Sequence, residues 1–199
     1  MYTLLGSPKT RAGRVMWMLE ELGVEYTIMP CGPHDPAVIA VNPTGKIPVL
    51  MDGDLAITDS TAILMHLADK HQKMTYPIGT PERAKLMSVI SFAVDAVEQP
   101  LWFFAKHSFV YPEEMRALDA VLPGLRHEFA KAMGALEAML GDQEFIMGDE
   151  FTVADVILGH LGGWAKGAGF GAPDGKVGEY MTRIRSRPGW KAVLKAREG

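Results

Sequence analysis

The first third of the chain alternates short apolar runs with polar turns, a pattern typical of a small mixed sheet. Between the first two runs, apolar residues recur at helical spacing from Arg11, and Gly23 is a natural helix stop. The Asp52-Gly53 pair predicts a hairpin between the last two runs. The predicted strands are "YTLLG", "VEYTIM", "KIPVL" and "LAIT".

Two further helical segments complete this first third of the chain. "VIAVNP" predicts a short helical turn, and "DSTAILMHLADKH" predicts a longer helix with its apolar residues on one face. The element order is therefore βαβ followed by ββα, which is the order of an α/β domain with a parallel pair of strands. We expect this domain to cover residues 1–73.

The rest of the chain shows helical spacing only. A linker is predicted at 74–84, where Pro77, Gly79 and Pro81 lie between two helical patterns, and an all-α domain is predicted at 85–199. Pro100 should kink or end the first long helix of this domain. A second long helix is expected from about Pro112 to Leu140, although Pro123 and Gly124 argue against its middle.

The segment "FTVADVILGHLGGW" carries the clearest local signal of the second half. Thr152 is a good helix cap, and Asp155 three residues later can accept a hydrogen bond from the backbone N–H of the cap. An apolar stripe follows, so this helix is predicted to form the buried centre of the helical domain. Its cap is expected to serve folding and not chemistry.

Composition narrows the possible partners and compartments. The chain has 199 residues, a formal net charge of −4 and a single cysteine, Cys31. This balance argues against nucleic acid or an anionic membrane as the main partner, and one cysteine excludes an internal disulfide. The N-terminal residues lack the pattern of a signal peptide, and no apolar run approaches the ~20 residues that span a bilayer. We therefore expect a cytoplasmic protein that is not bound in a membrane.

Metal and nucleotide motifs are weak. The six histidines show no paired ligand spacing, so no metal is predicted, and His160 on an apolar stripe is better explained as a core or pocket-wall residue. "GKI" lacks the upstream glycine and the following hydroxyl of a phosphate-binding loop. "GAGFGAPDG" follows a helix instead of a strand, which favours a loop over a dinucleotide site.

Four motifs in order resemble those of the cytosolic glutathione transferases. They are "SPKTRAGRVMWMLEELGVEY", "NPTGKIPVL", "ITDSTAIL" and "FTVADVILGH". The resemblance covers essentially the whole chain and implies a thioredoxin-like N-terminal domain followed by an all-helical domain. It also implies a homodimer that binds glutathione as co-substrate and transfers it to a small hydrophobic electrophile, as in detoxification.

The resemblance implies the residues that bind glutathione. Pro48 would follow a cis peptide bond, and the backbone of Ile47 would pair with the cysteinyl part of glutathione like a strand edge. Ser60 and the helix start would hold the γ-glutamyl carboxylate, while Asp59 would meet the ammonium group. Lys46 matches the position that approaches the glycine carboxylate. Each also has a simpler explanation: an edge-strand proline, a helix cap and a solvated lysine.

The first loop should supply the catalytic group. A hydroxyl that donates to the glutathione sulfur favours the thiolate, and Thr10, matching the "SPxSR" pattern of many bacterial relatives, is the first candidate for this role. Ser7 is the alternative, and Thr10 could instead cap the helix. Arg11 would add positive potential near the sulfur or face solvent.

Absence of a first-loop cysteine argues against the thiol-exchanging branch of the family, and Cys31 in its Pro-Cys-Gly turn is interpreted as incidental. The candidate walls of an electrophile site are Phe92, Trp102, Phe103, His107 and Trp164. A second hypothesis remains open, a non-catalytic glutathione-transferase-like module that binds a protein or small ligand.

Overall fold

The computed structural model of the protein describes residues 1–171 and 174–198. Two compact units are present: residues Met1–Pro77 with the C-terminal segment from Arg185, and residues Ile78–Ile184. The domain boundaries expected from the sequence stay a prediction, and each unit is described by itself below.

The first unit contains a four-stranded mixed sheet in the order β2-β1-β3-β4. β1 runs parallel to β2, while β3 is antiparallel to both β1 and β4. The predicted α/β fold with βαβ-ββα order is confirmed. The elements are β1 (Tyr2–Leu5), α1 (Ala12–Leu22), β2 (Tyr26–Met29), α2 (Pro36–Ile39), β3 (Val49–Asp52), β4 (Leu55–Thr58), α3 (Ser60–His71) and the last helix of the chain, α9 (Pro188–Glu198).

Local sequence explains how α1 ends and where β3 begins. Gly23 adopts a left-handed conformation with φ 68°, and its N–H donates to the carbonyls of Leu19 and Glu20, which closes the helix. The predicted strand "KIPVL" is shorter than expected, because β3 begins only at Val49, after Pro48. A proline has no N–H for the ladder, so the strand starts beyond it.

The second unit is helical, which confirms the predicted all-α half. It contains α4 (Pro81–Phe92), a π-helical segment (Ala93–Glu98), α5 (Gln99–Ala105), a second π-helical segment (Lys106–Val110), a short 3-10 turn (Glu113–Met115), α6 (Leu118–Leu140), α7 (Val153–Gly167) and α8 (Gly175–Arg185). The loop predicted at "GAGFGAPDG" includes Ala172 and Pro173, which lie outside the described residues.

Prolines act differently in these helices than expected. The α-helix ahead of Pro100 ends at Phe92, and a π-helical segment leads into α5, where Pro100 occupies the first turn. The helical run continues from α4 through this π-helical segment into α5, so the altered hydrogen-bond ladder accommodates a proline that has no N–H. The predicted start of the long helix at Pro112 was wrong: α6 begins at Leu118, and it continues without a break through Pro123.

The capping box at the start of α7 is confirmed. The Thr152 N–H donates to Asp155 Oδ2 at 2.7 Å, and the Thr152 hydroxyl donates to the same oxygen at 2.9 Å. Asp155 Oδ1 accepts from the Ile146 N–H at 3.0 Å and from the Tyr180 hydroxyl at 2.6 Å. All of these groups are buried, so this carboxylate joins three segments of the unit.

Candidate glutathione site

Three of the segments singled out in the sequence meet at one end of the sheet. β1 ends at Leu5, β3 begins at Val49 and β4 ends at Thr58, and Leu5 pairs with Val49 while Val49 pairs with Thr58. The loop after β1, the residues before β3 and the residues after β4 therefore leave the sheet at the same end. The first loop and Ile47 lie close together, since a Cβ built on Gly6 would be 3.6 Å from the Ile47 Cβ.

Ile47 offers an open backbone at this end. The Ile47–Pro48 peptide bond is cis, as the resemblance implies. Pro48 is buried and Ile47 is half-buried. The Ile47 N–H and C=O make no hydrogen bond to any residue in the described part of the chain. Unpaired backbone groups beside a strand are those that an added peptide segment can use.

Asp59 caps α3 and adopts an unusual conformation. Its Oδ1 accepts hydrogen bonds from the Thr61 N–H at 2.8 Å and the Ala62 N–H at 3.4 Å, while Oδ2 has no partner among the described residues. Its φ of 67° lies in the left-handed region, which a residue other than glycine seldom adopts. The capping role is thus present in the geometry, and one carboxylate oxygen of this exposed side chain stays open.

Ser60 is the first residue of α3 and is only 2 % exposed. Its hydroxyl makes no hydrogen bond to any of the described residues, 1–171 and 174–198. The first backbone N–H groups of a helix lack partners inside the helix, and the helix dipole favours an anion at that position. A hydroxyl and a helix start together suit a carboxylate ligand.

In the first loop, the two candidate hydroxyls differ in how they are bonded. The Thr10 hydroxyl donates to the Ser7 carbonyl at 2.8 Å and accepts from the Ala12 N–H at 3.2 Å, so it also acts as a cap for α1. The Ser7 hydroxyl accepts from the Lys9 N–H at 3.3 Å, and its own hydrogen has no acceptor within the described residues. Both side chains are half-buried.

The remaining predicted residues lie at the same end with less definite contacts. Lys46 is exposed, and its carbonyl accepts from the Asn42 side-chain amide at 2.8 Å, which holds the backbone ahead of Ile47. Arg11 is half-buried and stands directly before α1. Cys31 packs with Ile47 against the small cluster of Leu5, Val38 and Val49. Burial raises the pKa of the Cys31 thiol, which disfavours a reactive thiolate there.

The candidate walls of the electrophile site all lie in the second unit and are half-buried. They are Phe92, Trp102, Phe103, His107 and Trp164. The Lys106 ammonium lies 4.3 Å from the centroid of the Phe103 ring and 5.6 Å from that of Trp102, within range of a cation–π contact. His107 Nδ1 accepts from the Ala117 N–H at 3.2 Å. Their role toward an electrophile stays a prediction.

One residue near the loop was missed by sequence reasoning. Arg197, close to the C-terminus, donates from Nε to the carbonyl of Pro8 at 2.9 Å. Nothing in the sequence pattern connects a lysine- and arginine-rich last helix to the first loop. Among the described residues, no group of His, Cys, Asp and Glu side chains is arranged to hold a metal, and no helix is long and apolar enough to cross a membrane.

Family models match both halves of the chain. The model described as the N-terminal domain of glutathione S-transferase matches residues 1–75, and the model of the C-terminal domain matches residues 108–196. The chain belongs to the glutathione S-transferase family. The expectation of a glutathione transferase is thereby confirmed at the level of the family.

Proteins similar in sequence to this chain are named glutathione S-transferases. Glutathione S-transferase 3 of Zea mays is 34% identical over 153 residues, covering 71% of this chain and 68% of the relative. Glutathione S-transferase 1 of Schizosaccharomyces pombe is 32% identical over 127 residues, covering 61% of this chain. The chain spans 54% of the length of that yeast protein.

A solved structure with a bound glutathione conjugate shares the fold of this chain. Ure2p5 from Phanerochaete chrysosporium, crystallised with 1-(S-glutathionyl)-2,4-dinitrobenzene, superimposes with a TM-score of 0.85 at 20% sequence identity. The match covers 99% of this chain and 94% of that one. At this identity the likeness concerns the fold alone.

Proposed function

We propose that this chain binds glutathione at the sheet end formed by residues 6–11, 46–48 and 59–60, activates its thiol and transfers it to a small hydrophobic electrophile. The observation that carries the proposal is the register of the sheet, which brings these three segments to one end. The open backbone of Ile47 and the open hydroxyl of Ser60 are the kinds of group that a small peptide with free carboxylates requires.

In this proposal each part of glutathione meets a matching group. The Ile47 N–H and C=O pair with the cysteinyl residue, which resembles the addition of a strand. Ser60 and the first N–H groups of α3 bind the γ-glutamyl carboxylate, and the open Oδ2 of Asp59 meets the ammonium group. Lys46, exposed beside Ile47, approaches the glycine carboxylate. The cysteinyl sulfur then faces the first loop.

The reaction needs the thiolate, since a free thiol with a pKa of about 8.5 is mostly protonated at neutral pH. A hydroxyl that donates to the sulfur stabilises the charged form and lowers that pKa. We assign this donor to Thr10, whose hydroxyl would exchange the Ser7 carbonyl for the sulfur when glutathione binds. Arg11 and the start of α1 add positive potential. The thiol proton is released to solvent, and the sulfur electron pair of the thiolate forms the new carbon–sulfur bond. In a substitution the bond to the leaving group breaks and that group departs with the bonding electron pair; in an addition the π electrons of the electrophile take up a proton from solvent.

Ser7 remains the alternative donor, and the geometry gives it one advantage. Its hydroxyl hydrogen has no acceptor in the described residues, whereas that of Thr10 is already used at 2.8 Å. If neither hydroxyl donates to the sulfur, the second function applies, a module that binds glutathione or another ligand without activating a thiol. The two functions differ in the pKa of the bound thiol, which is measurable.

The decisive experiment is a titration of glutathione into the protein by calorimetry, followed by the ultraviolet absorbance of the thiolate against pH in the complex. We expect binding with a lowered thiol pKa, and we expect Thr10→Ala to raise that pKa by roughly one unit through the lost hydrogen bond. Thr10→Ser is the matched control, since it keeps the hydroxyl and should keep the lowered pKa.

Other outcomes of this experiment assign the roles differently. An effect of Ser7→Ala in place of Thr10→Ala moves the donor to Ser7. Binding without a lowered thiol pKa supports the non-catalytic module, and absence of binding removes glutathione from this site. A homodimer in solution and a cytoplasmic location are typical of the family and are part of the proposal for this chain.

A further inference from the structure

The side chain of Arg197 connects the last helix to the first loop. Its Nε donates to the Pro8 carbonyl at 2.9 Å across a separation of 189 residues in the sequence. Pro8 lies between the two candidate hydroxyls, one residue after Ser7 and two before Thr10. A residue far from the loop in sequence therefore holds the middle of the loop.

The guanidinium group is itself held in place by aromatic packing. It lies over the ring of Trp190 with its central carbon 4.8 Å from the ring centroid, and Trp190 packs against Trp17 of α1 at 5.1 Å. Trp17 is fully buried and Trp190 is 3% exposed. A stacked arginine is pre-organised, so its hydrogen bond to the loop costs little side-chain entropy.

The carbonyl of Pro8 fits tightly between the loop and α1. A Cβ built on Gly13 would lie 2.5 Å from the Pro8 oxygen and 3.1 Å from Arg197 Nη2. Glycine at this position therefore lets the carbonyl and the arginine approach the helix backbone. The position of this carbonyl is fixed from both sides.

A second contact joins the same two helices but does not touch the loop. Arg187, just before α9, donates to both carboxylate oxygens of Glu21 at 2.7 to 3.1 Å. Trp17 Nε1 also donates to Glu21 Oε1, at 3.0 Å. These contacts lie near the C-terminal end of α1, whereas Arg197, at the C-terminal end of α9, contacts the loop that precedes α1. The helices α9 and α1 are therefore antiparallel. The chain thus offers two arginines that both join α9 to the α1 region, of which Arg197 bonds the first loop and Arg187 bonds Glu21 at the end of α1.

We infer that Arg197 is a positioning residue for the first loop, holding Ser7 and Thr10 where their hydroxyls can bind the sulfur of glutathione. This inference rests on the proposed function and extends it to the C-terminal helix. Arg197 itself touches the Pro8 carbonyl and not the reacting atoms, so it acts through the loop. Removing it should release the loop without removing any glutathione ligand.

The test compares Arg197→Met and Arg197→Lys with Arg187→Met. We expect both Arg197 variants to raise the pKa of the bound thiol by roughly half a unit to one unit, because the donor hydroxyls are less well placed. We expect kcat/KM to fall roughly tenfold, mainly through kcat. Arg187→Met should lower the melting temperature but leave the pKa of the bound thiol the same as in the wild type.

The lysine variant separates position from charge. Lysine keeps a positive charge but loses the planar group that stacks on Trp190, so a positioning role predicts that it fails to restore the loop. Full recovery of the thiol pKa in Arg197→Lys would show that charge alone matters and would overturn the inference. An unchanged thiol pKa in Arg197→Met would overturn it as well.

Amide hydrogen exchange makes the test independent of glutathione. In Arg197→Met, and not in Arg187→Met, the amides of Lys9, Thr10 and Gly13 should exchange roughly tenfold faster, because the loop opens more often. Equal exchange in both variants overturns the inference. If the unchanged protein fails to bind glutathione, the proposed function fails, and the exchange result still decides whether Arg197 holds the loop.

Discussion

Two helix starts in this molecule contain an acidic residue and a hydroxyl, yet they use these groups in opposite ways. At the start of α7, both oxygens of Asp155 are occupied by donors from Thr152, Ile146 and Tyr180. At the start of α3, Asp59 uses only Oδ1, and the Ser60 hydroxyl has no partner among the described residues. We call the start of α7 closed, because residues of its own unit occupy both carboxylate oxygens. We call the start of α3 open, because Asp59 Oδ2 and the Ser60 hydroxyl are available to a ligand.

Burial and backbone conformation differ in the same direction. Asp155 is fully buried, and burial raises the pKa of its carboxyl while its hydrogen-bond donors oppose that rise. Asp59 is exposed and has a φ of 67°, a conformation that most residues avoid. A buried, saturated carboxylate stabilises a fold, whereas an exposed one with an open oxygen beside an open hydroxyl suits a charged ligand. The same sequence signal, an acid near a hydroxyl at a helix start, thus serves two purposes.

The largest expected effect concerns the closed helix start. Asp155→Ala leaves the Ile146 N–H, the Thr152 N–H and the Tyr180 hydroxyl buried without their acceptor, which should lower the free energy of unfolding by about 3 to 5 kcal/mol. Chemical denaturation measures this loss. Glutathione affinity of the folded fraction should not change.

The hydroxyl of Tyr180 provides the control for this prediction. Tyr180→Phe alone should cost about 1 to 2 kcal/mol, and it should cost clearly less in the Asp155→Ala background, where the hydroxyl is already unpaired. Additive losses in the double variant would mean that the two groups do not act as a unit. The start of α7 could then no longer be described as closed by a cooperative hydrogen-bond network, and the contrast with α3 would fail.

An intermediate effect is expected at the open helix start. Ser60→Ala should weaken glutathione binding by about 1 to 3 kcal/mol, because a hydrogen bond to a charged carboxylate is lost. The free energy of unfolding should change by less than about 0.5 kcal/mol, since the hydroxyl bonds to nothing in the described chain. Calorimetry and denaturation measure the two quantities.

Thr152→Val is the mirror-image control for Ser60→Ala. It removes the hydroxyl at the closed helix start, so it should lower stability by about 1 kcal/mol and leave glutathione affinity unchanged. If Ser60→Ala lowers stability instead of affinity, the hydroxyl belongs to the fold, and the distinction between the two helix starts breaks down.

The contrast also shows what a sequence can predict. Strands, the Gly23 stop and the Thr152 capping box depend on neighbouring residues, and the structure confirms them. The pattern at Asp59 and Ser60 fitted both a cap and a ligand site, because the local sequence does not say which acceptors remain open. That answer depends on the packing around the helix start.

Long-range contacts and proline effects lay beyond local patterns. The hydrogen bond from Arg197 to Pro8 joins the two ends of the chain, and no spacing rule connects them. The helical run continues through Pro100 by way of the π-helical segment that precedes α5, and Pro123 lies inside an unbroken α6. Tertiary packing decides whether a helix continues through a proline, and a single sequence carries no record of it.

The smallest expected effect concerns the charge of Asp59. Asn keeps an oxygen to cap α3 and tolerates a positive φ, so Asp59→Asn should change stability by less than about 0.5 kcal/mol. It removes the negative charge that would meet the ammonium group of glutathione. For an exposed ion pair this should cost only about 0.5 to 1 kcal/mol of affinity, and salt should reduce the loss.

The test is therefore the affinity of both proteins for glutathione at low and high salt. The difference in affinity between the wild type and Asp59→Asn should shrink as salt increases. Salt screens the attraction between the Asp59 carboxylate and the ammonium group, which only the wild type has. Asp54→Asn is the control, since Asp54 is also exposed but lies in the β3–β4 turn, at the other end of the hairpin. Equal affinity losses in the two variants would reduce Asp59 to a helix cap and leave Ser60 alone to distinguish the open helix start from the closed one.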